Sequence, residues 1–310
     1  MNPDIPNLIA LPHIGLLQIQ GPDATKFLQG QVTNDINACT PEQWQHNAHC
    51  SPKGRMIANF DNVRIDEQTL LIGVQKDPLN ALQTSLGKYI VFSKAKLADV
   101  SEHYQLVGLL GVDVTNWAKQ HLGIDFVAGM TAVQKDGAVY LKRDEERIEC
   151  WFPQSGSLPD ALRNVALSEN TTGWCQKDIE LGRGWVTAAT VDEFLPQFLN
   201  LQTAAINGVS FKKGCYTGQE IVARMHYKGK LKRHLYRFEL SGNTPAAAGS
   251  SLFTDNSKQS AGTVVNSVCC DGKVQLLAVT TEDAVKGGAL TLDQDSRDTL
   301  TLLPLPYEVE

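Results

Sequence analysis

The chain has 310 residues, 42% hydrophobic and 20% charged, with a formal net charge of −6. That length suggests two or three structural units, the composition supports a sizeable core, and together they exclude a disordered chain. The negative balance argues against non-specific nucleic-acid binding by the whole surface. No apolar run approaches the roughly 18 residues of a membrane span, and no basic stretch precedes an apolar one after Met1. A soluble, cytoplasmic monomer is expected.

In chain order, residues 8–20 carry mostly apolar positions and are broken by Gly21-Pro22-Asp23. Residues 24–29 read as a short helix that buries Phe27 and Leu28. Residues 43–50 and 56–65 read as strands, joined by the turn signal Ser51-Pro52-Lys53-Gly54. A strand over 69–75 follows, then a helix over 78–86 with Leu79, Leu82 and Leu86 at helical spacing. Residues 106–112 form a continuous apolar run and read as a buried strand, 113–121 as a helix and 138–141 as a strand. No regular βαβ rhythm emerges, so the class is α+β. From about residue 233 the pattern changes. Tyr236, Phe238 and Leu240 alternate with Arg237 and Glu239, and short strands follow at 262–269, 273–280 and 290–292. This C-terminal region reads as an all-β barrel or sandwich. The domain expectation is a body over 1–232, in two subdomains, and a β-barrel over 233–310.

Seven cysteines are present, Cys39, Cys50, Cys150, Cys175, Cys215, Cys269 and Cys270, with no CxxC pair. Their odd number points to reduced thiols rather than a disulfide framework. His46, His49 and Cys50 suggest a metal cluster at first sight. On a strand, however, His49 faces away from His46 and Cys50, so packing is the better account and no metal is expected. Basic residues gather in the segment 211–233, where Lys212, Lys213, Arg224, Lys228, Lys230, Lys232 and Arg233 stand against the single acid Glu220. Such an island is either a solvated face or a site for an anionic ligand or partner.

The most informative stretch is Lys212-Lys213-Gly214-Cys215-Tyr216-Thr217-Gly218-Gln219-Glu220. Two glycines bracket a cysteine, the mark of a loop whose backbone passes close to something. Thr217-Gly218-Gln219-Glu220 has the form of a capping box, so Thr217 is expected to cap a helix running toward His226. A helix N-terminus contributes roughly 0.3–1 kcal/mol to a nearby charge, and the two lysines add to it. Both favour ionisation of a partly exposed thiol that starts near about 8.5. On these features alone Cys215 is either a reactive thiol or a small residue packed in a tight turn. Glu180 is a carboxylate among apolar neighbours, and Trp174 is by default a core aromatic. No P-loop, GxGxxG, HExxH or GxSxG motif is present.

The run Lys213-Gly214-Cys215-Tyr216-Thr217-Gly218-Gln219-Glu220 resembles the K-G-C-Y-x-G-Q-E signature of the YgfZ family, relatives of the glycine-cleavage aminomethyltransferase. Gly21-Pro22-Asp23-Ala24 with Phe27-Leu28-Gln29-Gly30-Gln31-Val32-Thr33, Ala48-His49-Cys50 with Lys53-Gly54, and Lys88-Tyr89 with Val91-Phe92-Ser93-Lys94 extend the likeness. So do Phe194-Leu195-Pro196-Gln197 and Asn200-Leu201, and nearly the whole chain is covered. The resemblance implies an aminomethyltransferase-like folate-binding body with a C-terminal β-barrel, and tetrahydrofolate as cofactor. It also implies a role in assembling or repairing iron–sulfur clusters of client enzymes, including radical enzymes that methylthiolate tRNA, without direct nucleic-acid binding. Cys215 and Lys213 are its working residues by this resemblance. Trp174, Glu180, Ile14, Gly214, Tyr216 and Gln219 are its folate-site candidates. An indole suits a flat pterin, and a carboxylate suits the ring's N–H donors.

Two departures stand out. Ile14 takes the place of the family's N-terminal folate tryptophan and offers apolar contact without stacking. Ala58 and Asn59 stand where aminomethyltransferases carry an Asp-Asp pair, and neither serves as a general base. A maintenance factor working through Cys215 is therefore expected ahead of a one-carbon transferase. An adaptor docking through the basic segment 211–233 is the other alternative.

Overall fold

A computed structural model describes residues 5–229, 231–254, 257–293 and 298–309, without the side chains of 257 and 258. In chain order it contains strands β1 (Asn7–Ala10) and β2 (Ile14–Gln20), helix α1 (Ala24–Gln29), and strands β3 (Gln45–Cys50), β4 (Met56–Asp66) and β5 (Thr69–Gln75). Helix α2 (Leu79–Ile90), strands β6 (Lys96–Asp99) and β7 (Tyr104–Leu110), and helix α3 (Val114–Leu122) follow. Next come β8 (Ala132–Lys135), β9 (Ala138–Lys142), β10 (Arg147–Pro153), α4 (Asp160–Arg163), β11 (Leu167–Ser168) and α5 (Thr172–Glu180). The last part holds α6 (Gln219–Lys228), β12 (Arg233–Ser241), β13 (Ser251–Thr254), β14 (Ser257–Cys270), β15 (Lys273–Thr281), α7 (Glu282–Gly287), β16 (Leu290–Thr291) and β17 (Thr301–Leu303). No helix among the described residues is long and apolar enough to cross a membrane.

The chain divides into two compact units. The first comprises residues 1–29, 35–46 and 60–174, and the second 30–34, 47–59 and 175–310. In the first unit a six-stranded sheet runs β11-β1-β7-β10-β9-β8, antiparallel except for the parallel β1–β11 pair. Helix α3 is amphipathic: Val114, Trp117, Ala118 and Leu122 fall at helical spacing and join the core formed by β7, β9 and β10. A second sheet has the order β3-β4-β5-β2-β6. Its strand β5 is buried along nearly its whole length, which accounts for its continuous apolar sequence. Helix α2 buries Leu79, Leu82 and Leu86 as their spacing predicts, but continues to Ile90, four residues past the expected end. Nothing crowds Gly87, so one glycine does not break it.

In the second unit the C-terminal strands form an antiparallel sheet of order β16-β13-β14-β15-β12-β17. The sheet curls: Thr291 of β16 bridges to Thr299, and the Leu300 amide donates to the Leu290 carbonyl at 2.7 Å. In β12 the alternation of Tyr236, Phe238 and Leu240 gives the face turned to the sheet interior, while Leu235, on the other face, joins the second core cluster of this unit. Phe238, Leu252, Val264, Val274, Leu276 and Ala278 fill the interior of this sheet. The predicted α+β class with an all-β C-terminal region is present, with the short α7 as an added element.

Candidate functional site

The signature run lies in the second unit, in the loop that leads into α6. Lys213 is 8% exposed, and its ammonium donates to the carbonyls of Val32 at 2.6 Å and Asn34 at 2.8 Å. It also lies 5.1 Å from the Tyr216 ring centroid. Lysines are seldom buried unless paired, and here backbone carbonyls supply the partners. Thr33 tightens the same segment: its hydroxyl donates to the Gly208 carbonyl at 2.6 Å and accepts from the Ala48 amide at 2.9 Å. The loop base is therefore fastened to residues 32–34.

Two positions beyond this anchor, Cys215 is exposed, and it alone among the seven cysteines. Cys39, Cys50 and Cys150 are buried, and burial pushes each of their thiols up. Gly214 is exposed with open space where a Cβ would stand, so no steric demand for glycine operates there. Tyr216 returns to the interior, and burial raises its phenol above the ordinary range. The loop thus alternates Lys213 in, Cys215 out and Tyr216 in.

The start of α6 corrects the capping expectation. The helix begins at Gln219, and Gly218 is its N-cap, at φ +83° and without a side-chain cap bond. A Cβ at 218 would stand 2.5 Å from the Ser51 carbonyl oxygen and 3.0 Å from Cys50 Cβ. Only glycine fits this left-handed, crowded position, so tertiary contact with the 51–54 turn overrides the local capping-box signal. Thr217 instead bonds through its hydroxyl to Gln31 Oε1 at 3.3 Å and through its amide to the Gly30 carbonyl. Gln219 is half-buried, and its backbone N–H donates to the Tyr216 carbonyl at 3.2 Å.

The remaining candidates lie on other elements. Trp174, on the part of α5 belonging to the first unit, is 2% exposed and packs with Ile9 and Leu11. Ile14 sits against this same cluster, so these two candidates are brought together. The indole occupies space that a side chain at Gly108 would need, since a Cβ there would meet the ring at 2.4 Å. The Arg147 guanidinium lies 5.0 Å from the ring centroid and donates to the Trp174 carbonyl at 2.8 Å. Glu180, at the end of α5 and in the second unit, is half-buried. It accepts from Gln176 Nε2 at 3.1 Å and pairs with Lys177 at 3.2 Å.

Ala58 and Asn59 are both fully buried. The Asn59 amide donates to the Gly184 carbonyl and accepts from the Val186 amide, both at 2.8 Å. It pins β4 to residues 184–186, a task a carboxylate, having no donor, performs only by half. His46 and His49 do not converge: His46 pairs with Asp61 at 2.6 Å in the first unit, whereas His49 bonds the Gln31 carbonyl at 2.7 Å in the second. Burial lowers His49 to about 4, so it is a neutral residue. Of the basic island, Lys212, Arg224, Lys228, Lys232 and Arg233 are exposed and Lys213 is buried, while Lys230 lies outside the described residues.

Sequence reasoning missed the buried role of Lys213. Its carbonyl partners lie about 180 positions away, and nothing local marks them.

No family model matches the chain. A relative in Pectobacterium carotovorum subsp. carotovorum, named tRNA-modifying protein YgfZ, is 33% identical over 98% of this chain and 92% of its own length. A relative of the same name in Yersinia enterocolitica is 34% identical over 97% and 92%. Among solved structures, the glycine cleavage system aminomethyltransferase T of Bartonella henselae superposes with a TM-score of 0.74 at 16% identity, covering 97% of this chain and 86% of that one. At that identity the structural likeness speaks for the fold. With near-complete coverage of relatives at about one-third identity, the chain belongs to the YgfZ family.

Proposed function

We propose that this protein binds a reduced folate and supports iron–sulfur enzymes that modify tRNA, with Cys215 as its working thiol. One observation carries the reading: in a loop whose base is pinned by buried Lys213, Cys215 is the one exposed cysteine of seven. A tethered loop keeps the thiol in place while leaving it open to a partner, the condition under which cysteine reactivity is useful. The relatives' printed name supports the tRNA-modification context, and the aminomethyltransferase fold supports folate. Glu180 fits a pterin edge, because a half-buried carboxylate with one neighbour on each oxygen retains lone pairs for further N–H donors. When bound, tetrahydrofolate supplies one-carbon or reducing chemistry; the chain's own part is to hold the ring and present the thiol.

Aminomethyl transfer is the lesser reading, because Asn59 spends its amide on Gly184 and Val186 and Ala58 carries no proton-transfer group. The decisive experiment has two arms. Tetrahydrofolate is titrated while tryptophan fluorescence is followed, for the natural chain and for Glu180→Gln and Trp174→Phe; both variants should weaken binding. Cys215→Ser should bind folate normally yet fail to restore tRNA methylthiolation in cells lacking the protein. Full restoration by Cys215→Ser would remove the thiol from the function and favour docking through the exposed basic residues of α6 and its flanks.

A further inference from the structure

The basic segment 211–233 carries a group of stacked rings outside the signature run. Phe211 is half-buried and packs against the core of the second unit. The His226 ring lies flat on it, with centroids 3.7 Å apart and planes 9° from parallel. Tyr227 stands edge-on to both, 4.7 Å from His226 at 73° and 6.1 Å from Phe211 at 70°. The core thus supports Phe211, Phe211 supports His226, and Tyr227 closes the group from the side. The two outer rings nevertheless face water: His226 is exposed, and Tyr227 is 67% exposed. A lone exposed tyrosine is ordinary. One held by two other rings is a preformed flat surface, which loses little freedom when something stacks on it.

Helix geometry sets cations beside that surface. Arg224, Tyr227 and Lys228 fall at i, i+3 and i+4 of α6, so the three share one face, and all are exposed. Lys212, also exposed, follows Phe211 in the chain. Among the described residues, none of Lys212, Arg224 and Lys228 forms an ion pair, so their charge is open to a partner. The acids Glu282 and Asp283 border a hollow with Met225, His226 and Gly229, which point away from the Arg224–Lys228 face, and Lys286 pairs with Glu282. No aliphatic side chain of α6 is exposed, since Val222 is buried and Ile221 and Met225 are half-buried. The face offers a ring and charges, not the apolar anchor that a lipid surface requires.

We infer that this face of α6 docks unpaired nucleotides of an RNA, with a base stacked on Tyr227 and phosphates met by Arg224 and Lys228, while Lys212 adds charge beside the rings. Stacking accepts any base, and the cations neutralise the backbone, the combination that holds single strands without reading their sequence. The choice of RNA over DNA rests on the tRNA-modification reading above; the stacking and the charges do not. The inference departs from the absence of direct nucleic-acid binding that the family resemblance implies. It agrees with the net charge of −6, which argues only against binding by the whole surface.

The test is fluorescence anisotropy of a labelled oligoadenylate of about twelve nucleotides, titrated with the full chain beside its DNA counterpart, an abasic strand of equal length and polyglutamate. The oligoadenylate should bind at least as tightly as the DNA, and about tenfold or more tighter than the abasic strand or polyglutamate. Tyr227→Ala should weaken it about tenfold, the loss of one stacked base, while Tyr227→Phe, which keeps the ring, should not. Arg224→Gln should weaken it too, and should flatten the slope of log affinity against log salt by about 0.7, one phosphate contact on a single strand. Neither folate nor Cys215 enters these titrations, so their failure and that of the function proposed above are told apart. Absence of oligoadenylate binding at about 50 mM salt and high-micromolar protein overturns the inference. So does binding that Tyr227→Ala leaves unchanged, or DNA binding tighter than RNA. Polyglutamate as tight as the oligoadenylate overturns it in favour of an acidic protein partner.

Discussion

Two of the buried polar residues of strand β4, Asn59 and Asp61, are used in opposite ways. Asn59, in the second unit, ties two backbone groups with one neutral amide. Asp61, in the first, sits in a cluster of charges: His46 Nδ1 at 2.6 Å, Arg143 Nη1 at 2.5 Å, and Glu149 beyond Arg143 at 3.7 Å. Trp151 Nε1 donates to Glu149 at 2.7 Å, and the Arg143 guanidinium lies 4.5 Å from the Trp44 ring centroid. Burial alone would raise the Asp61 pKa, but Arg143 and His46 outweigh it and hold the carboxyl at about 2. The contrast shows that position in a strand does not decide what a buried polar residue does. A neutral amide brings little desolvation cost and fastens two segments, whereas a charged side chain survives burial only inside a matched group.

The largest break in this comparison should come from Asp61→Ala. It removes the carboxylate that buried Arg143 meets at 2.5 Å, and the expected loss is about 3–5 kcal/mol by urea unfolding. A loss under about 1 kcal/mol would show the cluster to be dispensable. Acid should expose the same asymmetry. Because the folded-state pKa of Asp61 is depressed, its contribution is complete above the unfolded value near 3.8 and is lost as pH falls through about 2. The natural chain should therefore lose about 2–3 kcal/mol over that window, and Asp61→Asn should lack that part of the pH dependence. Parallel acid curves for the two proteins would contradict the assignment.

On the other side of the comparison, Asn59→Asp keeps an acceptor for the Val186 amide but turns an oxygen toward the Gly184 carbonyl. The expected destabilisation is about 1–3 kcal/mol, with no aminomethyl transfer gained despite the new carboxylate. Lys213→Met should cost a similar amount, about 1–3 kcal/mol, since it strips a donor from the buried carbonyls of Val32 and Asn34. Faster proteolysis near residues 30–34 would accompany it. The smallest effect belongs to Cys215→Ser, within about 0.5 kcal/mol, as befits an exposed residue. Mass spectrometry after brief iodoacetamide treatment should find Cys215 modified first in the natural chain. If Cys269 or Cys270 reacts ahead of it, the exposed loop is not the chemically active one.

The sequence by itself determined the elements that rest on local periodicity. The helix over 24–29, the strand over 69–75, the leucine face of α2 and the alternation in β12 follow from spacing that a single strand or turn of helix enforces. It also singled out Cys215, because glycines on both sides and a helix start downstream are local features. Only the tertiary structure decided which polar residues are buried and what satisfies them. Gly218 rather than Thr217 begins α6 because the 51–54 turn presses against it. Lys213 is an anchor because Val32 and Asn34 lie beneath it. Asn59 reaches Gly184, 125 positions along the chain. Each of these outcomes depends on partners brought close by folding. A buried polar group is settled by its hydrogen-bond partner, and that partner leaves no trace in the residues on either side of it.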